Sequence, residues 1–474
     1  MKRKLTVSAV ICALLLAFVA LGCTTIKTQR ELSSFPIKTP DYSEPVIEEW
    51  VEHNGLRVLY IRDDELPLVY GTLYVKGGTY WQNADQLGLY GALGDQMRDG
   101  GAGDYTPDKL DLVLDGLAAG VSSSFGSEYG TVRFSCFDKD IEKVFSIFAD
   151  VVLRPRFDPN RLSSWKKKKV DSIKRRVENP QLVAMASLMQ ILYDGTPYGY
   201  VSTSEDIKKI SRLDLLRLHR RIVRPKDSVL VISGNISKDK VKELLRKNFG
   251  RWKGKNHLSP LPPVVEEPKP AIYFIERPLV QATVVMGELG VPRLTADDVA
   301  IDVFNDVFGT SSFGAPELFK VVRERLGLAY TVYGSIQPAV KKGVNIIFFQ
   351  TKSKSVFQGI KASLGVLKML QGNVLPKERI EMSKNFIGNS FVFKFASKYD
   401  VISRKARMIM LNYPPDYDKI YLEKLKEISN KDIRDVARNR WDIERLVIVV
   451  VGNKEAYNTL EKERKYGREV WLKE

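Results

Sequence analysis

The sequence predicts an α+β protein made of two homologous repeats, each a mostly antiparallel sheet covered by helices. Three observations carry that prediction. An apolar, β-branched run that closes on glycine occurs twice: Val229, Leu230, Val231 and Ile232 lead into Ser233 and Gly234, and Val447, Ile448, Val449, Val450 and Val451 lead into Gly452. Such runs read as buried strands, and a helical pattern follows each. Leu68 and Val69 before one strand are matched by Leu279 and Val280 before another, so one unit recurs roughly two hundred residues further on. Residues 253–270 hold five prolines among charged residues, the composition of a linker. The expected boundaries are 45–252 for the N-terminal repeat and 271–474 for the C-terminal one.

Ahead of the repeats, Lys2, Arg3 and Lys4 precede an apolar run over 5–21 and a small residue, Gly22. Residues 1–22 thus have the shape of a secretory signal peptide. The run is short for a membrane span and lacks basic residues at its far end; a single-pass anchor is the other reading. Ala20, Leu21, Gly22 and Cys23 resemble a bacterial lipobox, which implies that Cys23 is acylated and begins the mature chain. Thr24 in place of aspartate resembles lipoproteins sent to the outer membrane. Implied is a lipid-anchored protein of the bacterial cell envelope, facing the periplasm. Residues 23–44, with Ser, Thr and Pro and little periodicity, read as its tether.

Within the first repeat, Asn54 and Gly55 separate two alternating runs, 50–53 and 56–61, a strong hairpin signal. Residues 68–75 add a third strand. Thr106 and Pro107 open a helix through Leu117, 140–153 is a second amphipathic helix, and 121–137 alternates as strands between them. Helices are expected over 165–178, 180–193, 206–222 and 238–249.

Hydrophobic residues fill 44% of 474 positions, enough for two cores. Cys12 belongs to the signal and Cys23 to the lipid, so Cys136 has no disulfide partner. The formal charge is +17. A basic chain suggests nucleic acid first, yet export argues against it and no zinc-finger, RNA-binding or helix-turn-helix pattern occurs; no nucleic-acid partner is expected. An anionic membrane surface suits a tethered protein better. The densest positive run is Lys166, Lys167, Lys168 and Lys169 with Lys174, Arg175 and Arg176, whose plain reading is a solvated helix face. His53, His219 and His257 are too far apart in sequence to form a helical ligand pair, and read as solvated or structural.

Gly88, Leu89, Tyr90, Gly91, Ala92, Leu93, Gly94, Asp95, Gln96 and Met97 have helical phasing, with Leu89, Leu93 and Met97 on one stripe. Each glycine costs a helix roughly 1 kcal/mol against alanine, so they need a reason such as close packing or a cleared space. The stretch resembles the Gly-Leu-Ala-His-x-x-Glu-His-Met helix of the inverted zincins, the pitrilysin and mitochondrial processing peptidase-like metallopeptidases. In that family the two histidines bind zinc and the glutamate activates a water. On that frame Gly91 and Asp95 stand at the histidine positions and Gly94 at the general base. The family's third ligand is a glutamate on a later helix; counting back from Asn179 and Pro180 puts Ser172 there, with Asp171 the nearest acid. The resemblance therefore implies a degenerate metal site and no cofactor in this chain. A metal held by Asp95, Asp99 or Asp171 ranks last among the readings, since glycines supply no general base. In the same family the stretch matching Val121, Ser122, Ser123, Ser124 and Phe125 is an exposed edge strand that pairs with the substrate backbone; an ordinary strand is the other reading.

Arg323, Glu324, Arg325, Leu326, Gly327, Leu328, Ala329 and Tyr330 end an amphipathic helix, stop on glycine and begin a strand. They resemble the family's second hallmark, R-E-x-x-G-L-A-Y, whose arginine and tyrosine reach across to the other half's metal site. Arg323 and Tyr330 match residue for residue. A guanidinium and a phenol there can hold the substrate carbonyl and stabilise its oxyanion; a helix-capping arginine and a core tyrosine are the alternative. In the family's two-chain branch one subunit carries H-x-x-E-H and its partner carries the arginine–tyrosine pair. The resemblance thus implies the non-zinc subunit of a heteromeric zinc metalloendopeptidase. Zinc would sit on an H-x-x-E-H-bearing peptidase subunit, and a peptide or unfolded protein would be the substrate. The alternative is an inactive pseudo-peptidase that binds peptides or envelope proteins.

Overall fold

A computed structural model describes residues 45–265, 268–311, 314–464 and 470–472, with the backbone alone from residue 461 onward. The signal peptide, the tether and Cys23 lie outside the described residues. In the first half the order is β1 (Glu48–Val51), β2 (Arg57–Arg62), β3 (Leu68–Lys76), α1 (Leu89–Asp99), α2 (Pro107–Gly116), β4 (Gly120–Phe125), β5 (Tyr129–Phe137), α3 (Ile141–Leu153), α4 (Pro159–Glu178), α5 (Pro180–Leu192), α6 (Ser204–Lys209), α7 (Arg212–Ile222), β6 (Ser228–Gly234) and α8 (Lys238–Phe249). The second half has β7 (Ile272–Glu276), β8 (Gln281–Leu289), α9 (Asp298–Asn305), β9 (Ala329–Gln337), β10 (Val344–Lys352), α10 (Val356–Gly372), α11 (Lys377–Ser390), α12 (Lys398–Met410), α13 (Tyr417–Glu427), α14 (Asn430–Arg440), β11 (Val447–Gly452), α15 (Lys454–Arg464) and β12 (Val470–Leu472).

Two six-stranded sheets result, ordered β1-β2-β6-β3-β5-β4 and β12-β7-β11-β8-β10-β9. Five strands correspond one to one. β2 lies parallel to β6 as β7 does to β11, and the remaining pairings within each five are antiparallel. The sixth strand differs: β1 turns back antiparallel on β2, whereas β12 runs parallel to β7. The α+β architecture of two similar, mostly antiparallel sheets is the one the sequence predicts.

β6 and β11 are buried at every position because both faces of each sheet are covered. One face packs against helices of its own repeat: Leu93, Met97, Phe145, Phe148 and Phe249 share a core with Leu73, Val132 and Leu230. The other face is covered by a helix from the opposite repeat. Ala184, Leu188 and Leu192 of α5 pack on Val285, Phe348 and Val449 of the second sheet. In exchange, Val401, Ile402 and Ala406 of α12 pack on Leu59, Tyr74 and Val231 of the first. Arg293 also pairs with Glu128 across the halves, both largely buried.

Three local expectations are corrected. The stretch 206–222 is two helices, because Thr203 with Asp206 and Ser211 with Asp214 each form a capping box and so start separate helices. The first strand is Glu48–Val51 rather than 50–53, since the chain already turns at Glu52, whose carbonyl accepts from Gly55 N–H at 2.8 Å. The helix before Gly327 winds as a π-helix over Phe319–Arg325, with Leu326 N–H on Val321 O at 3.1 Å. Leu318 and Val322, four residues apart, lie in the core, and Arg323 stacks over Phe319 at the same spacing.

Candidate functional site

Helix α1 forms because Leu89, Leu93 and Met97 have a core to face, and all three are buried. Gly88 lies outside it as the N-cap, at φ 86°, where a side chain would be strained. The two internal glycines differ in kind. Around Gly91 nothing lies within 4 Å of an added Cβ. At Gly94 a Cβ would stand 2.5 Å from Phe125 N and 3.0 Å from Ser124 Cα, so the helix rests directly on the backbone of β4. Ser123 Oγ fixes that contact by donating to Gly94 O at 2.5 Å.

Asp95 is exposed and accepts from the indole Nε1–H of Trp165 on α4 at 2.7 Å. Ser172 follows Trp165 by two turns and is exposed, as is Asp171. Arg98 pairs with Asp111, and burial pushes the carboxyl of neighbouring Asp99 upward. Position by position, these residues do not fit a zinc ion. Two glycines bring no donor atom, Ser172 brings a neutral hydroxyl, and Asp95 is one carboxylate already engaged by an indole. Among the described residues no three His, Cys, Asp or Glu side chains gather as a metal would require.

β4 is the terminal strand of the first sheet. Val121 is buried, Ser122 and Ser124 are exposed, and the Phe125 ring lies 6.1 Å from that of Tyr90 of α1, tilted by 55°. Among the described residues, the only group outside the sheet that bonds the main chain of residues 120–125 is Arg98, whose Nε donates to Val121 O at 3.2 Å. The matching edge strand of the second sheet, β9, is treated differently. Asn305 takes both main-chain groups of Ile336, donating to its carbonyl at 2.9 Å and accepting from its N–H at 2.8 Å. Gly309 presses on Gly334 there as Gly94 presses on β4. One edge is stapled by a side chain near its C-terminal end, at Ile336; the other, among the described residues, has only the Arg98 bond from outside the sheet.

Arg323 and Tyr330 come together. The guanidinium lies 4.6 Å from the centre of the Phe319 ring and 4.7 Å from that of Tyr330, a cation between two π faces. Tyr330 is 78% exposed and is no core residue. Its exposure has a backbone cause. Between the pairs Thr351 with Ala329 and Phe349 with Val332 the register shifts, so Tyr330 and Thr331 face Gln350 alone. This β-bulge breaks the alternation and turns two successive side chains outward. Gly327, at φ 60°, makes the left-handed stop that lets the strand follow the helix closely. Among the described residues no hydrogen bond, ion pair or ring contact joins Arg323 or Tyr330 to α1.

Sequence reasoning missed Trp165, Asn305 and Gly309. The first two act through partners far along the chain; Gly309 lies in the π-helical segment Asp306–Thr310 that extends α9, and was detectable as a second glycine placed, like Gly94, late in the helix after the repeat's long strand. His219 is structural: its Nε2–H donates to Val152 O at 2.8 Å, and burial holds its pKa down to about 4. His53 and His257 are exposed.

Comparison with known proteins agrees with this arrangement. Residues 57–203 match the family model described as insulinase, peptidase family M16, and residues 209–387 match the one described as the peptidase M16 inactive domain. The uncharacterized zinc protease YmxG of Bacillus subtilis is 22% identical over 398 residues, covering 83% of this chain and 95% of that protein. The non-peptidase homolog YmxG of Helicobacter pylori is 21% identical over 403 residues, covering 84% and 92%. Among solved structures, a peptidase M16 inactive domain from Pseudomonas fluorescens superposes with a TM-score of 0.79 at 22% identity, covering 86% of this chain and 98% of that one. With both halves matched and the paired sheets in place, the chain belongs to peptidase family M16.

Proposed function

We propose that this chain is the catalytically silent member of a heteromeric zinc endopeptidase. It would supply Arg323, Tyr330, the β4 edge and half of a substrate chamber, while a partner with an intact H-x-x-E-H helix supplies the metal and the general base. The observation that carries this is the contrast between the two sites. Gly91 and Gly94 bring no donor atom, Asp95 is engaged by Trp165 and Ser172 offers only a neutral hydroxyl, whereas Arg323 is held between two rings and Tyr330 is turned outward. A preformed cation beside an exposed phenol is suited to hold a peptide carbonyl and to stabilise the negative charge that grows on it. The β4 edge, with Val121, Ser122, Ser123, Ser124 and Phe125, would take the peptide backbone by strand addition.

The test is a mild-detergent pull-down of the tagged chain from its own envelope, with co-purifying proteins identified and their stoichiometry measured. Support would be a near one-to-one partner bearing H-x-x-E-H, whose peptidase activity falls with Arg323→Ala. Recovery of the chain alone, or a partner whose activity ignores Arg323, would sink the reading. The second reading, a pseudo-peptidase that binds peptides without cutting, is favoured by the backbone of β4 filling the space beside Gly94 and by the likeness to a non-peptidase homolog. For location we propose the bacterial cell envelope, with the chain exported by residues 1–22 and tethered through lipid on Cys23 to the outer membrane; the leader's composition supports this.

A further inference from the structure

Helix α4 carries seven cations between Lys166 and Arg176. Two are spent on main-chain carbonyls: Lys166 Nζ donates to Lys208 O at 2.9 Å and Arg176 to Ser202 O at 2.9 Å. The other five, Lys167, Lys168, Lys169, Lys174 and Arg175, are exposed and enter no ion pair among the described residues. Their placement on the helix follows from its period. Trp165 touches Asp95 of α1, so the stripe beginning at Trp165 looks toward α1. Lys168, Lys169, Ser172 and Arg175 continue that side at three- and four-residue steps. α1 in turn rests on β4 through Gly94, and Gly91 leaves open space above it. The cleared site is therefore bounded by a strand edge on one side and by a row of unpaired cations on the other. The acids nearby are Asp95, which is engaged by Trp165, Asp99, one turn further along α1 and beside Arg98, and Asp171, about a quarter-turn from Ser172.

We infer that the β4 site selects acidic extended peptides, with carboxylates on the occupant facing Lys168, Lys169 and Arg175. This rests on the proposal that β4 accepts a peptide backbone, and it adds the class of peptide. Strand addition is blind to side chains, so the discrimination must come from a neighbouring wall. An acidic chain would find three compensating charges, and a basic one would be repelled.

The test uses the full chain in mild detergent and three fluorescent peptides of equal length, in which valine alternates with glutamate, serine or lysine. The glutamate peptide should bind about tenfold tighter than the serine one at low salt, and the gap should close at high salt. It should also close in the triple variant Lys168→Gln, Lys169→Gln, Arg175→Gln, whose exposed positions leave folding untouched. Equal binding of the serine and glutamate peptides would overturn the inference while the strand-addition reading stands. So would a preference that persists in the triple variant. N-methylation of alternate peptide amides should abolish binding; a glutamate peptide indifferent to it would overturn strand addition and this inference together, as would binding of none of the three. Single-stranded DNA of equal charge bound as tightly as the glutamate peptide would reveal a plain polyanion surface and overturn the inference too.

Discussion

Ser123 Oγ donates to Gly94 O at 2.5 Å, locking the edge strand against the helix that carries the zinc motif elsewhere in the family. The contact is possible only because position 94 has no side chain. A glutamate there would bring its Cβ within 2.5 Å of Phe125 N, so on the proposed reading the absence of a general base goes together with the close approach of β4. Replacing residues at 91, 94 and 95 by His, Glu and His is therefore expected to destabilise the chain without creating a zinc site, as read by metal content after dialysis.

Alanine at the two helical glycines should have opposite effects. Gly91→Ala gains helix propensity with no neighbour to strike and should stabilise by about 0.5–1 kcal/mol. Gly94→Ala gains the same propensity but collides with backbone, and should cost about 1–2 kcal/mol net. Urea denaturation of the two variants checks the sign. Destabilisation by Gly91→Ala would mean that the space beside it is occupied.

Tyr330→Phe should leave the stability of this chain unchanged, since the hydroxyl is exposed and the ring can still face Arg323. In the proposed complex it should lower the partner's kcat by about a hundredfold with little change in KM, as the loss of one oxyanion donor does. A change in KM alone would assign the tyrosine to ground-state binding.

The parts legible in the sequence were those set by local pattern. β6 and β11 announce themselves because a strand covered on both faces needs an unbroken apolar run, and Gly327 marks a left-handed stop. The exchange of α5 and α12 was not legible, because Ala184, Leu188 and Leu192 form the same stripe whichever sheet they cover. The outward turn of Tyr330 depends on a register shift opposite Gln350, and π-winding has no periodic signature of its own. Arg323 and Tyr330 could be named from their motif, but not the cation–π stack with Phe319 that holds the arginine. Asp95 could be placed at a ligand position, but not its engagement by Trp165, seventy residues away.

Cys136 is 2% exposed, and burial, reinforced by Asp140 and Asp138, pushes its thiol up to about 12. It should resist iodoacetamide at pH 8 in the native chain and react at once in denaturant. Mass analysis of the denatured mature chain should then show one label. A second would identify Cys23 as a free thiol and remove the lipid anchor from the proposal.

Two buried groups give the chain opposing pH dependences. His219 has its pKa lowered from 6.5 to about 4, chiefly by burial. The unfolded chain takes up a proton that the folded chain refuses, so stability is lost as pH falls from 6.5 toward 4, by roughly 3 kcal/mol in all. Glu288 behaves inversely. Burial raises its pKa from 4.5 to about 7, against the bonds its Oε1 accepts from Asn345 Nδ2 and Asp442 N–H, each at 3.1 Å. Its contribution is full below 4.5 and is lost as pH rises through 7, again by roughly 3 kcal/mol. Over the shared window the two slopes nearly cancel, so these two groups together should leave stability nearly flat with pH. Glu288→Gln keeps a carbonyl oxygen for both bonds and removes the ionisation, so it should be more stable than the parent at pH 8 and equal to it at pH 4. Its stability should then fall steeply below pH 6.5, where His219 acts unopposed. Urea midpoints at several pH values decide the matter; a Glu288→Gln profile parallel to the parent's would show that Glu288 does not titrate in this range.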